Sequence, residues 1–246
     1  MARIEWDKTG EKCYESGVDH AVLYPQSKGA YTGGVPWNGI TAVNEQPSGA
    51  EANKMFADNI HYGTLLSAEE FKVSIEAYMY PPEFEECDGT AEPVPGVTIG
   101  QQSRKPFGLS YRTMIGNDTD GLDHGYKIHL IWGAVAAPSE CNRQTVNDSP
   151  EAVSFSWECE TTPVKVKGFK PTASMVINST RVNKEKLALL EAALYGAEST
   201  EPRLPLPDEV LTMLGSGDVS QVRKRLPCTS KNAAMIPMAI PSLKEV

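Results

Sequence analysis

Three stretches of this chain alternate apolar and polar residues with a period of two, and that pattern constrains its fold more than any other feature. Phe71, Val73, Ile75, Ala77 and Met79 alternate with Lys72, Ser74, Glu76, Tyr78 and Tyr80. Tyr126, Ile128, Leu130, Trp132 and Ala134 alternate with Lys127, His129, Ile131 and Gly133, and Val153, Phe155, Trp157 and Cys159 with Ser154, Ser156, Glu158 and Glu160. Successive side chains of a strand point to opposite faces, so each stretch predicts a β-strand with one buried and one wetter face. The 20 glycines and 18 prolines are spread through the 246 residues rather than clustered. Distributed breakers cut a chain into short segments and favour a β-rich architecture.

Weaker strand patterns cover 18–25, 39–44, 59–66, 107–114, 164–168 and 174–180. Turn-forming runs separate them, among them Tyr31-Thr32-Gly33-Gly34, Cys87-Asp88-Gly89-Thr90 and Gly116-Asn117-Asp118-Thr119-Asp120-Gly121. Residues 82–86 suit a single helical turn. One longer helix is predicted over 184–195, capped by Asn183 and closed by Gly196, with Leu187, Leu190 and Leu194 as its buried stripe. A short second helix over 208–214 follows Pro207. The expected fold is mainly β, a β-sandwich or partial barrel with one flanking helix. It divides into a body over 1–216 and an extended or disordered arm over 217–246. The arm carries Arg223, Lys224, Arg225, Lys231 and Lys244 against Asp218 and Glu245.

Charge narrows the function. With 23 Lys+Arg against 32 Asp+Glu the net charge is −9, which argues against a phosphate-binding surface, since that needs clustered cations. The longest apolar run, 130–137, is far short of the ~20 residues of a membrane-spanning helix. The first residues show no apolar core of a secretory leader, so synthesis in a reducing cytoplasm is expected. Cys13, Cys87, Cys141, Cys159 and Cys228 are odd in number and widely spaced, matching neither a disulfide framework nor a zinc site.

No catalytic motif stands out. The chain lacks a phosphate-binding loop, a dinucleotide fingerprint and a Gly-x-Ser-x-Gly elbow. His124 and His129 lie five apart, which in a strand puts them on opposite faces. Asp118, Asp120 and Gly121 echo a calcium loop, but Lys127 falls where the last ligand must be Glu. Glu83, Glu85, Glu86 and Asp88 read as a solvated acidic loop. No catalytic, cofactor-binding or metal-ligating residue is assigned, and a non-enzymatic protein is expected.

Several longer strings carry a resemblance. They begin with Ile4-Glu5-Trp6-Asp7-Lys8-Thr9-Gly10 and Trp37-Asn38-Gly39-Ile40-Thr41-Ala42-Val43-Asn44-Glu45, followed by Ser67-Ala68-Glu69-Glu70-Phe71 and Pro95-Gly96-Val97-Thr98-Ile99-Gly100-Gln101-Gln102. Phe107-Gly108-Leu109-Ser110-Tyr111-Arg112-Thr113, Ser154-Phe155-Ser156-Trp157-Glu158 and Glu201-Pro202-Arg203-Leu204-Pro205-Leu206-Pro207-Asp208-Glu209-Val210 complete the set. Together, over roughly 1–214, the chain resembles the major tail (tail tube) proteins of long-tailed bacteriophages and prophages of Gram-positive bacteria.

The resemblance implies a structural virion protein, made in the bacterial host cytoplasm, whose hexameric rings stack into a hollow tube for DNA ejection. Its partners would be further copies of itself and the tail-tip, tape-measure and tail-terminator proteins, with DNA passing through unbound and no cofactor. Trp6 and Trp37 are then candidate interface anchors. An acidic lumen would repel phosphates, and one polar strand face would line it: Ser154, Ser156, Glu158 and Glu160, or Lys72, Ser74 and Glu76. Arg223, Lys224 and Arg225 of the arm would hold the acidic body of an adjacent ring. The alternative is a monomeric β-sandwich binding module, for a receptor or carbohydrate, at a phage tail tip. Removal of residues 217–246 is expected to weaken ring stacking, visible as shorter tubes by electron microscopy; tubes of unchanged length would remove the arm from this account.

Overall fold

In the computed structural model, which describes residues 4–145 and 152–215, the alternating stretches join one antiparallel sheet of ten strands. The strands are β1 (Tyr14–Ser27), β2 (Ala30–Thr32), β3 (Val35–Pro36), β4 (Ile40–Gly49), β5 (Ala52–Ala57), β6 (Ile60–Leu66) and β7 (Glu69–Ala77). They continue as β8 (Ala91–Val94), β9 (Val97–Ile99), β10 (Phe107–Asn117), β11 (Gly121–Ala136), β12 (Phe155–Thr161), β13 (Ser174–Asn178) and β14 (Arg203–Leu204). Two helices, α1 (Lys184–Tyr195) and α2 (Pro207–Leu214), flank β14 in sequence. The sheet runs β14-β2-β1-β10-β11-β12-β7-β4, with β3 beside β1 and β13 beside β11, while β5–β6 and β8–β9 form separate hairpins. It does not close into a barrel, because β4 and β14 end it without pairing.

Two apolar cores explain the layering. In the first, Val73, Ile75 and Ala77 of β7 and Trp157 and Cys159 of β12 pack against Ala21, Leu23, Phe107, Leu109, Tyr111 and Ile131 of β1, β10 and β11. The sheet therefore doubles over, with β12–β7–β4 as one layer and β1–β10–β11 as the other. In the second core, Val22, Tyr24, Ile128, Leu130 and Trp132 from the opposite face of that middle layer, with Ile177 of the adjoining β13, meet Leu187, Leu190 and Leu194 of α1 and Val210 of α2. Each large side chain removed from water contributes about 1.5–3 kcal/mol. An aromatic cluster fills one end of the first core: Phe84 packs on Trp37, Trp157 and Phe107 at centroid distances of 4.5, 5.0 and 5.4 Å. Trp37 is buried and donates its indole N–H to the Met79 carbonyl at 2.9 Å, so it is a core residue rather than an exposed anchor, whereas Trp6 is exposed.

The middle layer serves both cores because β11 changes faces at Gly133. Phe107 pairs with Ala134 and Leu109 with Ile131, so Trp132 and Gly133 together oppose Gly108 across a bulge. Gly133 has φ +64°, and a Cβ there would stand 2.5 Å from the Thr162 carbonyl oxygen. Its N–H bonds the Tyr31 hydroxyl at 2.9 Å and its carbonyl accepts from Thr162 N–H at 2.9 Å. Before the bulge β11 pairs with β13 (Lys127 to Ile131); beyond it, Ala134 to Ala136 pair with β12. The expected unbroken alternation from Tyr126 to Ala134 is corrected accordingly: Ala134 joins the face of Ile131, not that of Trp132.

Elsewhere the expected elements hold with altered ends. In α1 the Asn183 side chain accepts from Glu185 N–H at 2.8 Å, Gly196 closes the helix, and Leu187, Leu190 and Leu194 are buried. α2 begins at Pro207, and Pro82–Phe84 forms a single 3-10 turn. The segment 164–168 is not a strand: flanked by Pro163 and Pro171, it makes one isolated bridge from Val164 to Thr172. β5, which has no period-two pattern, pairs with β6 through Asp58 and Asn59, both at positive φ in a two-residue turn.

Gly133→Ala is expected to destabilise the fold by about 1–3 kcal/mol through a strained φ and the Thr162 clash. Tyr31→Phe is expected to cost a similar amount, about 1–3 kcal/mol, by leaving the bulge N–H unpaired. Urea unfolding midpoints check both.

Candidate functional site

The two candidate lumen sets lie on one surface. Register pairs Ser156 with Glu76, Glu158 with Ser74 and Glu160 with Lys72, so residues proposed as alternatives on β7 and β12 are cross-strand neighbours. Ser154 stands exposed just before β12. β4 extends the surface, placing Asn44 beside Ser74, Gln46 beside Lys72 and Ser48 beside Glu70. The reverse faces of β7 and β12 carry Val73, Ile75, Trp157 and Cys159 into the first core. Period-two alternation thus yields a polar face with an apolar backing, on which Ser156, Glu158 and Glu160 are exposed, Lys72 and Glu76 half-buried and Ser74 buried.

This surface is acidic, with Glu70, Glu76, Glu158 and Glu160 against Lys72 alone. The Lys72 ammonium lies 3.0 Å from Glu160 Oε1, and that bond holds its pKa above the ordinary lysine value. Asn44 Nδ2 donates to Ser74 Oγ at 3.3 Å, tying β4 to β7 through side chains as well as backbone. Such a face supplies repulsion for anions and no convergent donors to capture one.

A second surface has the opposite character. Among the described residues β5 and β6 pair only with each other, and Met55, Phe56, Ile60, Tyr62, Leu65 and Leu66 are all exposed, Phe56 at 69% and Tyr62 at 73%. A lone two-stranded hairpin is marginally stable in water, and apolar area of this kind marks an interaction surface. The sequence predicted a strand over 59–66 but not its role, because apolar residues on both faces of a ribbon leave no alternation to read.

Between the two sheet layers lies a polar cluster. Glu45, at an inward position of β4, accepts from the Tyr111 hydroxyl at 2.7 Å and lies 3.2 Å from His129 Nδ1. Thr113 Oγ1 is 3.0 Å from His129 Nε2 and donates to Glu15 Oε1 at 2.5 Å, while Lys127 also bonds Glu15. The bond with His129, reinforced by Tyr111, keeps the Glu45 carboxyl below the usual carboxylate range in spite of burial. Burial alone would raise Glu15, but its bonds to Lys127 and Thr113 outweigh it and hold that carboxyl low as well. Burial, with Glu45 as acceptor, pushes the Tyr111 hydroxyl up.

The remaining polar candidates are internally paired. His124 meets Asp120 at 3.2 Å, and the Asn117 side chain accepts from the Thr119 and Asp120 amides in an Asx turn. In the acidic loop Asp88 pairs with Arg104 at 3.2 Å and Glu86 with Lys105. No group of three or more metal-ligating side chains occurs among the described residues. Cys87 and Cys159 are free but buried, with thiols pushed up to about 12 by desolvation, which makes them packing groups rather than nucleophiles. A pocket of about 510 Å³ beside the C-terminus of α1 is lined by His20, Val22, Pro36, Trp37, Leu194 and Tyr195. Among the described residues the buried Tyr195 hydroxyl has no hydrogen-bond partner. Arg223, Lys224 and Arg225 lie outside the described residues.

No helix among the described residues is long and apolar enough to cross a membrane. Compared with known protein families and with curated protein sequences, the chain matches none.

Because Glu45 and Glu15 have folded-state pKa values below their unfolded ones, their contribution is present above the ordinary carboxylate range and lost as pH falls through it. The urea midpoint is expected to drop between about pH 5 and pH 2, and Glu45→Gln to show a shallower drop; parallel curves would mean that Glu45 carries no such linkage.

Proposed function

We propose that this chain is a tail tube subunit, a structural virion protein whose hexameric rings stack into a conduit for DNA. The observation that carries this reading is the β5–β6 hairpin, which displays apolar side chains on a ribbon that no part of the described chain covers. Exposed apolar area of this kind suits burial against a partner, and a ring subunit buries it against its neighbours. Contacts between unlike patches close into rings or propagate as filaments, and one chain uses both to build a tube.

The acidic sheet face supports the second half of the reading. Glu158, Glu160 and Glu76 project from a firmly backed surface, as the wall of a channel for a polyanion requires: negative enough to repel phosphates, rigid enough to hold a bore. The open edges of β4 and β13 offer backbone groups that pairing with a neighbour would satisfy. On this reading the protein is no enzyme, it binds no cofactor, and its other partners are the proteins that start, measure and end a tail.

The pocket beside α1, with the Tyr195 hydroxyl unpartnered among the described residues, favours the rival reading of a monomeric binding module. Electron microscopy with light scattering separates the two. Purified protein at high concentration, with tail-tip proteins supplied if needed, is expected to give hollow tubes or stacked rings. The double variant Phe56→Ser/Tyr62→Ser is expected to remain folded and stay monomeric. A wild-type protein that stays monomeric even with the tail-tip proteins would favour the binding module.

A further inference from the structure

We propose that a cavity of about 300 Å³ at the aromatic end of the first core is a binding site for one neutral sugar ring. This goes beyond the proposed function and does not rest on it, since a ring subunit and a monomer can each carry such a site. Four pieces of chain join Tyr80 in walling the cavity: the turn 85–90, β9, the segment 139–143 and the start of β12. Its volume lies at the lower end of the ~300–1,000 Å³ range of ligand pockets, which suits a single ring rather than a chain of them. One wall is aromatic and rigid. Tyr80 stands at 88° to both Phe155 and Trp157, at centroid distances of 5.3 and 5.6 Å, and those two rings stack at 10°. Tyr80 and Phe155 are half-buried, while Trp157 backs them from the core. Tyr80 thus offers an apolar body with a hydroxyl at its tip, a combination that meets the C–H face and the hydroxyls of a pyranose together.

The polar wall is held in place by the protein itself. The Glu85 carbonyl accepts from both the amide and the hydroxyl of Thr90 at 2.9 Å. Arg104 bonds the Asp88 carboxylate at 3.2 Å and the Ala136 carbonyl at 2.9 Å, which fixes the turn against the end of β11. Glu85, Asp88 and Thr90 are half-buried, whereas Glu83 and Glu86 face solvent. Counting hydrogens then gives the chemistry of the ligand. Thr90 donates to the Glu85 carbonyl and Thr98 to Glu85 Oε2 at 3.4 Å, so each hydroxyl offers the cavity lone pairs only. The Glu85 and Asp88 carboxylates also only accept. Burial raises the Tyr80 hydroxyl above the ordinary tyrosine value, and the nearby Glu85 and Asp88 carboxylates raise it further, so it keeps its hydrogen and donates. Arg143 adds a guanidinium from the segment 139–143. Acceptors outnumber donor groups, and the ligand must bring several O–H groups of its own. A carboxylate or phosphate would meet Glu85 and Asp88, and an ammonium would meet Arg143. A neutral ring with adjacent hydroxyls avoids both conflicts.

Ligand-observed saturation-transfer NMR on the full chain, free or assembled, tests this with glucose, galactose, mannose and N-acetylglucosamine. At least one of them is expected to bind with a Kd of about 1 mM. No saturation by any of the four at about fifty times that concentration overturns the proposal. Three variants locate the bound sugar. Tyr80→Phe keeps the ring and removes the hydroxyl, Glu85→Gln removes a charge at constant size, and Thr98→Val removes an acceptor from β9. Each is expected to weaken binding about tenfold, while Glu198→Gln, in the turn after α1, leaves it unchanged. Affinity untouched by the pocket variants puts the sugar elsewhere and removes the site. Thr98 is exposed, so Thr98→Val still decides if a substitution nearer the core unfolds the chain. Two charged probes test the ligand class. Glucuronate is expected to bind about tenfold more weakly than the neutral sugar, and methylammonium is expected not to displace it. Equal binding of glucuronate, or displacement by methylammonium, contradicts a site for a neutral ring.

Discussion

The layer formed by β1, β10 and β11 is buried on both faces, and the rest of the molecule is arranged to cover it. One face takes β12–β7–β4, the other α1 and α2. A strand has only two faces, and each must match its own cover. β11 meets this demand by changing face at a bulge, and the bulge requires glycine at position 133 and a hydroxyl from Tyr31 to satisfy its amide. The same kink lets one strand pair first with β13 and then with β12. Without it, Ala134 would turn toward the helices and β12 would lose its place in the first core.

Much of this was legible because the physics behind it is local. β7 and β12 each bury one face, so their alternation survives within the strands, although past Ala77 Met79 is exposed and Tyr80 packs on the first core, and Asn183, Gly196 and three leucines announce α1 through caps and stripe. What was hidden depended on partners distant in sequence. The bulge at Gly133 cannot be told from an ordinary strand glycine until Gly108 and Thr162 are alongside. β5 has no pattern because neither of its faces is buried by the described residues. Glu45 lies just past the strand predicted over 39–44, and only the approach of Tyr111 and His129 makes it a polar link between layers. Residues 164–168 carry a strand composition, but the prolines on either side leave them one bridge.

The candidate site was half legible in the same sense. Ser156, Glu158 and Glu160 were separable from Trp157 and Cys159 by alternation alone, as were Lys72, Ser74 and Glu76 from Val73 and Ile75. That these sets form one surface is a matter of register, and register is set by which strands meet. The resulting picture is a chain with unlike surfaces: an acidic sheet backed by an aromatic core, an apolar hairpin that the described residues leave uncovered, and a helical flank. Surfaces of such contrasting character suit a part that faces a polyanion on one side and its own copies on others.

The orientation of the acidic sheet is the claim on which this functional account turns. A cryo-EM map of the assembled protein, resolved well enough to trace β7 and β12, reads it directly. The account predicts Glu76, Glu158 and Glu160 on the wall of a central channel, with Trp157 and Ile75 behind them. Finding those carboxylates on the outer wall, or sealed within a subunit contact, would contradict it.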